Sequence, residues 1–173
     1  MDITKRDIVE TEFVEALIKK VDKIRSTEAS EISDRIVKNQ PFIMSMLIGY
    51  KFDVKEEELN DIMKMLFVIY LYFEKKTDVN KKQINSKEFE KHEKRNIQFL
   101  KYFSGDSIKK NQLETNDQYL SNLNYKSLFT GILFMSNTQI GLKKMKSEKK
   151  GIVVLGMKTL IDCLEANLLE KRK

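Results

Sequence analysis

Residues that build covalent and metal-bound frameworks are scarce in this sequence. Its 173 residues include one cysteine, Cys163, one histidine, His92, and no tryptophan. A lone cysteine excludes an intrachain disulfide, and together with a single histidine it excludes a zinc site of the Cys/His type. The usual di-iron site of a helical bundle needs two histidines. We therefore expect no metal and no cofactor.

Proline and glycine are also rare, with one and six residues respectively. Sandwiches and barrels use both residues in their many turns, so this scarcity argues against them. Lysine, glutamate, leucine and methionine, which are good helix formers, are common. The composition therefore favours an all-α fold.

Long apolar runs are missing as well. The longest nearly unbroken run, Leu66 to Phe73, is far shorter than the roughly 20 residues that a membrane-spanning helix needs. The stretch from Met1 to Glu12 is charged throughout, unlike the apolar centre of a secretory signal. We expect a cytoplasmic protein without a membrane partner.

A helical period recurs along most of the chain. Phe13, Leu17 and Val21, for example, follow one another at the spacing of one helix face. The segment from Leu59 to Phe73 is apolar all round, which is typical of a buried central helix. We predict about six or seven helices, packed as a bundle or an irregular α array in one domain over residues 1–173.

Several helix ends have local signals. Pro41 suits the first turn of a helix that runs to about Tyr50. Asp53 with Glu56, and Asn85 with Glu88, have the spacing of helix N-terminal caps.

The C-terminal third divides into three predicted segments. The residues from Tyr119 to about Leu142 are predicted to form one helix. A basic connector, Lys143 to Lys150, follows it, and a last helix runs from about Gly151 to Glu170.

Standard catalytic motifs, phosphate-binding loops and metal motifs are absent. His92 is the one residue suited to general acid–base chemistry, but its spacing from Phe89 and Phe103 puts it on an apolar helix face. The acidic run Glu56 to Glu58, with Asp61, is better explained by helix capping and solubility than by cation binding. We predict that His92 is structural or peripheral.

Two basic patches suggest a nucleic-acid surface as an alternative. Residues 77–173 hold 19 of the 32 basic residues and 11 of the 26 acidic ones. Such lysines can follow a phosphate backbone, although a solvated helix face explains them more simply. The candidates are Lys87, Lys91, Lys94 and Lys101 on one helix face, and Lys143, Lys144 and Lys146 in the connector.

A stripe of small polar residues marks the predicted Tyr119–Leu142 helix. It either lines a groove for a ligand or partner, or forms a tight seam between helices. Its members are Ser127, Thr130, Asn137 and Gly141.

Three classes of function remain open. The sequence favours a non-enzymatic interaction or regulatory protein, such as an adaptor, inhibitor or immunity-type protein, with a protein partner or a homo-oligomer. A nucleic-acid-associated protein is the first alternative. An enzyme or small-molecule binder with a site assembled from distant residues is the second.

Overall fold

The computed structural model describes residues 5–76, 79, 82–104 and 125–169, without the side chains of 99–104 and 168–169. These residues form eight helices and no strand, so the all-α prediction is confirmed for them, with one helix more than the upper estimate. In chain order the helices are α1 (Lys5–Asp22), α2 (Ser26–Asn39), α3 (Pro41–Lys51), α4 (Glu56–Lys76), α5 (Ser86–Ser104), α6 (Lys126–Thr138), α7 (Ile140–Lys144) and α8 (Ser147–Leu169).

Helix α4 is the centre of the described structure. It packs against α1, α3, α6, α7 and α8. Every residue from Met65 to Phe73 is buried, as the all-round apolar pattern predicts. No helix of the described chain is both long enough and apolar enough to cross a membrane.

The start of α4 differs from the prediction. The helix begins at Glu56, and the Glu58 carboxylate accepts a hydrogen bond from the Lys55 backbone N–H at 2.7 Å. In a capping box, the side chain at the third helical position accepts the N–H of the N-cap residue. Here these residues are Glu58 and Lys55, two positions later than the predicted pair Glu56 and Asp53. The second predicted cap is confirmed, because the Glu88 N–H donates to Asn85 Oδ1 at 3.0 Å.

A buried glutamine fixes the chain between α4 and α5. The Gln40 amide donates to the carbonyls of Val79 and Lys82, and its oxygen accepts the Ile84 N–H. All three donor–acceptor distances are between 2.7 and 2.9 Å. A fully buried amide is tolerated here because its bonding capacity is used.

Helix α1 is held to α4 by a buried polar cluster as well as by apolar packing. Tyr72 donates its hydroxyl proton to the Glu10 carboxylate, and Lys76 Nζ lies 2.7 Å from the same oxygen. Burial, followed by the hydrogen bond to Glu10, raises the pKa of Tyr72. Its phenol is therefore a fixed donor.

The C-terminal third is divided differently from the prediction. The predicted Tyr119–Leu142 helix is wrong as one element, since the chain is extended at Gln139 between α6 and α7, and residues 119–124 lie outside the described part. The Gln139 amide donates to Asp22 Oδ1 at 2.7 Å and its oxygen is 3.4 Å from Lys64 Nζ. These partners from α1 and α4 stabilise the break.

Helix α7 is only five residues long and begins against α4. The Asp61 carboxylate accepts the backbone N–H groups of Gly141 and Leu142, at 2.8 and 3.3 Å. The predicted basic connector is therefore shorter, because α7 contains Lys143 and Lys144, and α8 already starts at Ser147 rather than Gly151.

Candidate functional site

A long groove lies on the surface between α1 and α6. Its apolar lining includes Val14, Ile18 and Phe134. It encloses about 630 Å³. On the α1 side the lining extends from Asp7 to Asp22, which corresponds to about 22 Å of helix. We call this feature the α1–α6 groove.

Small residues of α6 create the recess. Ser127, Thr130 and Gly131 all line the groove. A Cβ atom on Gly131 would lie 2.5 Å from Val14 Cγ1, so the two helices touch here at the base of the groove. The hydroxyl groups of Ser127 and Thr11 lie 3.1 Å apart across it.

Charged residues on the α1 side of the groove are engaged within the protein. Glu15 lies 3.7 Å from Lys19, both exposed. Asp22 accepts the Gln139 amide and lies 3.6 Å from Lys64 Nζ. The α1–α6 groove thus offers apolar surface between charged residues that interact within the protein.

The predicted polar stripe is divided by the break at Gln139. Ser127 and Thr130 line the α1–α6 groove, whereas Asn137 is exposed and donates to the Leu133 carbonyl of its own helix. Gly141 is buried at a different contact, against the Glu57 backbone and the Asp61 carboxylate. Ser127 and Thr130 therefore belong to a groove, whereas Gly141 belongs to a tight contact between helices.

The lysines of the basic stripe are exposed on α5. Lys87, Lys91 and Lys94 form no ion pair within the described residues, and Lys101 lies in α5 where side chains are not described. Lys143, Lys144 and Lys146 are also exposed. Helix α5 packs mainly on α8, whereas α7 packs on α4 and α6, so the two basic patches belong to different packing units.

A polar layer fills the contact between α5 and α8. The buried Asn96 amide donates to Thr159 Oγ1 at 3.1 Å and to Asp162 Oδ2 at 2.9 Å. The other Asp162 oxygen accepts from the buried Lys158 ammonium. Hydrogen bonds thus compensate the burial of this charge pair and align the two helices.

His92 lies at the edge of this polar layer and is partly buried. Burial lowers its pKa, and the nearby Asp162 charge opposes this change. Cys163 is buried, and burial raises the pKa of its thiol to about 12, with Asp162 and Glu88 adding to the effect. A thiol that stays protonated is a poor nucleophile.

Two carboxylates of the acidic run, Glu58 and Asp61, act as helix caps. Glu58 caps α4 and Asp61 caps α7. Among the described residues, no three His, Cys, Asp or Glu side chains come together as a metal site.

The α1 half of the groove was missed by sequence reasoning. Val14 and Ile18 belong to the regular apolar face of α1. Nothing local distinguishes them from core residues. The exposed Phe134, 59% accessible, is the clearest signal that this surface differs from an ordinary helix face.

Comparison of the chain with protein-family models, curated proteins and solved structures gives no match.

Proposed function

We propose that this chain is a cytoplasmic, non-enzymatic protein that binds an amphipathic helix of a partner protein in the α1–α6 groove. The observation that carries the proposal is a groove as long as a short helix, with the apolar residues Val14 and Ile18 at its base and the exposed Phe134 on its wall. Binding of an amphipathic helix in an apolar groove is a recurring mode of recognition between proteins.

The dimensions of the groove suit a helix. A partner of four turns spans about 22 Å and presents apolar side chains at positions i, i+3 or i+4, and i+7. Small groove residues leave room for these side chains. Phe134 supplies the large, rigid aromatic surface that often dominates binding energy.

The polar margins of the groove suit a helix that is polar on its other faces. Thr11, Ser127 and Thr130 offer hydroxyl groups close to the apolar lining. Thr11 and Ser127 lie within hydrogen-bond distance of each other, and each hydroxyl group can also bond to a polar group at the edge of a partner helix. Burial of the apolar surface supplies the driving force for association.

Selection of helical peptides with a groove-blocking variant tests the proposal. Peptides of about 20 residues, which span roughly 30 Å as helices, are selected against the intact protein. Thr130→Trp fills the groove, and Val37→Trp is the matched control because Val37 is an exposed residue of α2. Both sites are exposed, so both variants should fold.

We expect selected peptides with apolar residues at helical spacing. Their affinity should fall about tenfold or more with Thr130→Trp and with Phe134→Ala, a loss of about 1.4 kcal/mol or more. Val37→Trp should leave affinity unchanged. Peptides that bind Thr130→Trp as well as the original protein would contradict the proposal.

A photo-crosslinking residue at position 134, with position 37 as control, extends the test to the native host. The crosslinked partner should contain a helix whose isolated peptide competes with the selected peptides. A crosslink within one chain, or between two copies, would mean that this protein itself covers the groove, and would exclude a separate partner there.

A further inference from the structure

A second pocket lies where α3, α5 and α8 meet. It encloses about 580 Å³. Its apolar lining comes from Met46, Val54, Phe89, Ile152, Val153 and Leu155. We call it the α3–α8 pocket.

Large apolar side chains are exposed beside this pocket. Phe52 is 83% accessible and follows the lining residue Tyr50 by two positions in the sequence. Ile152, which lines the pocket, is also more than half accessible. Apolar side chains concentrated around a pocket are typical of an interaction site.

Three carboxylates line the same pocket. Asp53, Glu93 and Glu148 come from the end of α3, from α5 and from the start of α8. Within the described residues, none of their side chains forms an ion pair or a hydrogen bond. The one lysine of the lining, Lys149, directs its ammonium to the Asp53 backbone carbonyl at 2.5 Å.

Tyr50 adds a hydroxyl group without an intramolecular hydrogen bond among the described residues. Its Oη atom lies on Gly156, where a Cβ atom would come within 2.1 Å of it. Burial, followed by the Glu93 charge, raises the pKa of Tyr50 to about 12, so the phenol keeps its proton at neutral pH. A tyrosine hydroxyl can accept a hydrogen bond as well as donate one, so Tyr50 offers a polar contact beside Glu93.

We propose that the α3–α8 pocket binds a segment of a partner protein in which an arginine or lysine stands next to an apolar side chain. The cationic group meets the carboxylates of Glu93, Asp53 and Glu148, and the apolar side chain packs on the pocket lining. Charge complementarity selects this occupant, since the lining holds three carboxylates without an ion pair among the described residues and one lysine, Lys149, so a cation is attracted more than an acidic segment. The site is separate from the α1–α6 groove.

Peptide selection against the Thr130→Trp variant tests this pocket alone. Random peptides without a helical bias are displayed, and binding of the recovered sequences is measured by calorimetry at several salt concentrations. The blocked α1–α6 groove removes the first site. Failure of the first proposal therefore leaves this test unaffected.

We expect the recovered peptides to be enriched in arginine or lysine beside an aromatic or aliphatic residue. Glu93→Gln should weaken binding about fivefold or more and reduce its salt dependence. Glu31→Gln, at an exposed position of α2 away from the pocket, is the matched control and should change affinity less than about twofold. Gly156→Ala should also weaken binding, because its methyl group displaces Tyr50.

Several results would overturn the proposal. Recovery of no binding peptide, or of peptides without basic residues, would do so. Equal effects of Glu93→Gln and Glu31→Gln would mean that the basic residues bind elsewhere. A concentration-dependent dimer that Glu93→Gln dissociates would assign the pocket to a second copy of this chain.

Discussion

His92 lies beside a charged pair that is itself nearly enclosed by α5 and α8. The side chain is partly buried, and Asp162, which accepts a hydrogen bond from Asn96, is among the charges that act on it. Because burial outweighs the attraction of Asp162, the neutral imidazole is favoured. The residue therefore links the stability of the α5–α8 contact to pH.

The first prediction concerns this link. The folded pKa of His92 is below its ordinary value of 6.5, so the unfolded chain binds more protons as the pH falls through this range. Stability from this residue is present above the unfolded pKa and is lost as the pH falls through the folded pKa. Chemical denaturation at about pH 7.5 and pH 5.5 should show a loss that His92→Gln reduces.

The same variant tests a structural against a catalytic role. His92→Gln should lower the free energy of unfolding by about 0.5–3 kcal/mol at neutral pH, as typical substitutions do. Peptide binding per folded molecule should survive. A fully stable variant that loses all biological activity would contradict this and would favour an enzyme.

The second prediction uses two glycines with opposite surroundings. A Cβ atom at Gly141 would lie 2.7 Å from the Glu57 carbonyl oxygen, whereas one at Gly151 meets nothing within 4 Å. Gly141→Ala should therefore destabilise the fold by about 1–3 kcal/mol through crowding. Gly151→Ala should stabilise it by about 0.4–1 kcal/mol, because alanine restricts the unfolded chain.

Thermal and denaturant unfolding of both variants measures the difference. Equal effects of the two substitutions would mean that α7 does not approach α4 as closely as the structure has it.

At the scale of single elements, the third prediction concerns the core of α4. Leu66 and Phe67 are almost completely buried. Leu66→Ala and Phe67→Ala should each destabilise the protein by about 2–5 kcal/mol, because each leaves a cavity. Val37→Ala, at an exposed position of α2, should change stability by less than about 0.5 kcal/mol. Losses that small at both core positions would place α4 at a surface.

Helices with a strong local pattern could be predicted from the sequence. The start of α3 follows from Pro41, and the burial of α4 follows from its apolar pattern. The break at Gln139 could not, because glutamine does not interrupt helices by itself. The break is stabilised by contacts with Asp22 and Lys64, which lie far away in sequence.

The candidate site was predictable only on its α6 side. Ser127 and Thr130 differ from a core pattern, whereas Val14 and Ile18 do not. A groove between two helices depends on which helices become neighbours, and the pairing of α1 with α6 leaves no local signal. The α3–α8 pocket could not be predicted either, because it depends on the packing of three helices that are distant in sequence.

At the scale of the whole molecule, the net charge of +6 is carried by exposed lysines on more than one side. The fourth prediction concerns the α5 stripe. We expect weak, non-specific nucleic-acid binding that falls with salt, each phosphate contact adding about 0.9 to the slope of log K against log salt. Replacing Lys87, Lys91 and Lys94 by glutamine should reduce that slope by at most about 2.7.

A filter-binding titration at several salt concentrations measures both quantities. The same exchange at Lys20, Lys23 and Lys38, which are exposed and lie outside both basic patches, is the matched control for loss of charge. Tight binding at physiological salt that only the α5 variant abolishes would favour the nucleic-acid alternative over the proposed protein-binding function.

The cap that Asp61 provides for α7 has a consequence for the order of assembly. Gly141 follows Asp61 by 80 residues, so α7 gains this partner only after a long stretch of chain has been synthesised and has returned to α4. Five residues are too few to hold a helix by themselves. We expect α7 to be among the last elements to form. Helix α4, on which it forms, is synthesised well before it. A C-terminal fragment made without α4 would then lack the Asp61 carboxylate, which accepts the first N–H groups of this helix.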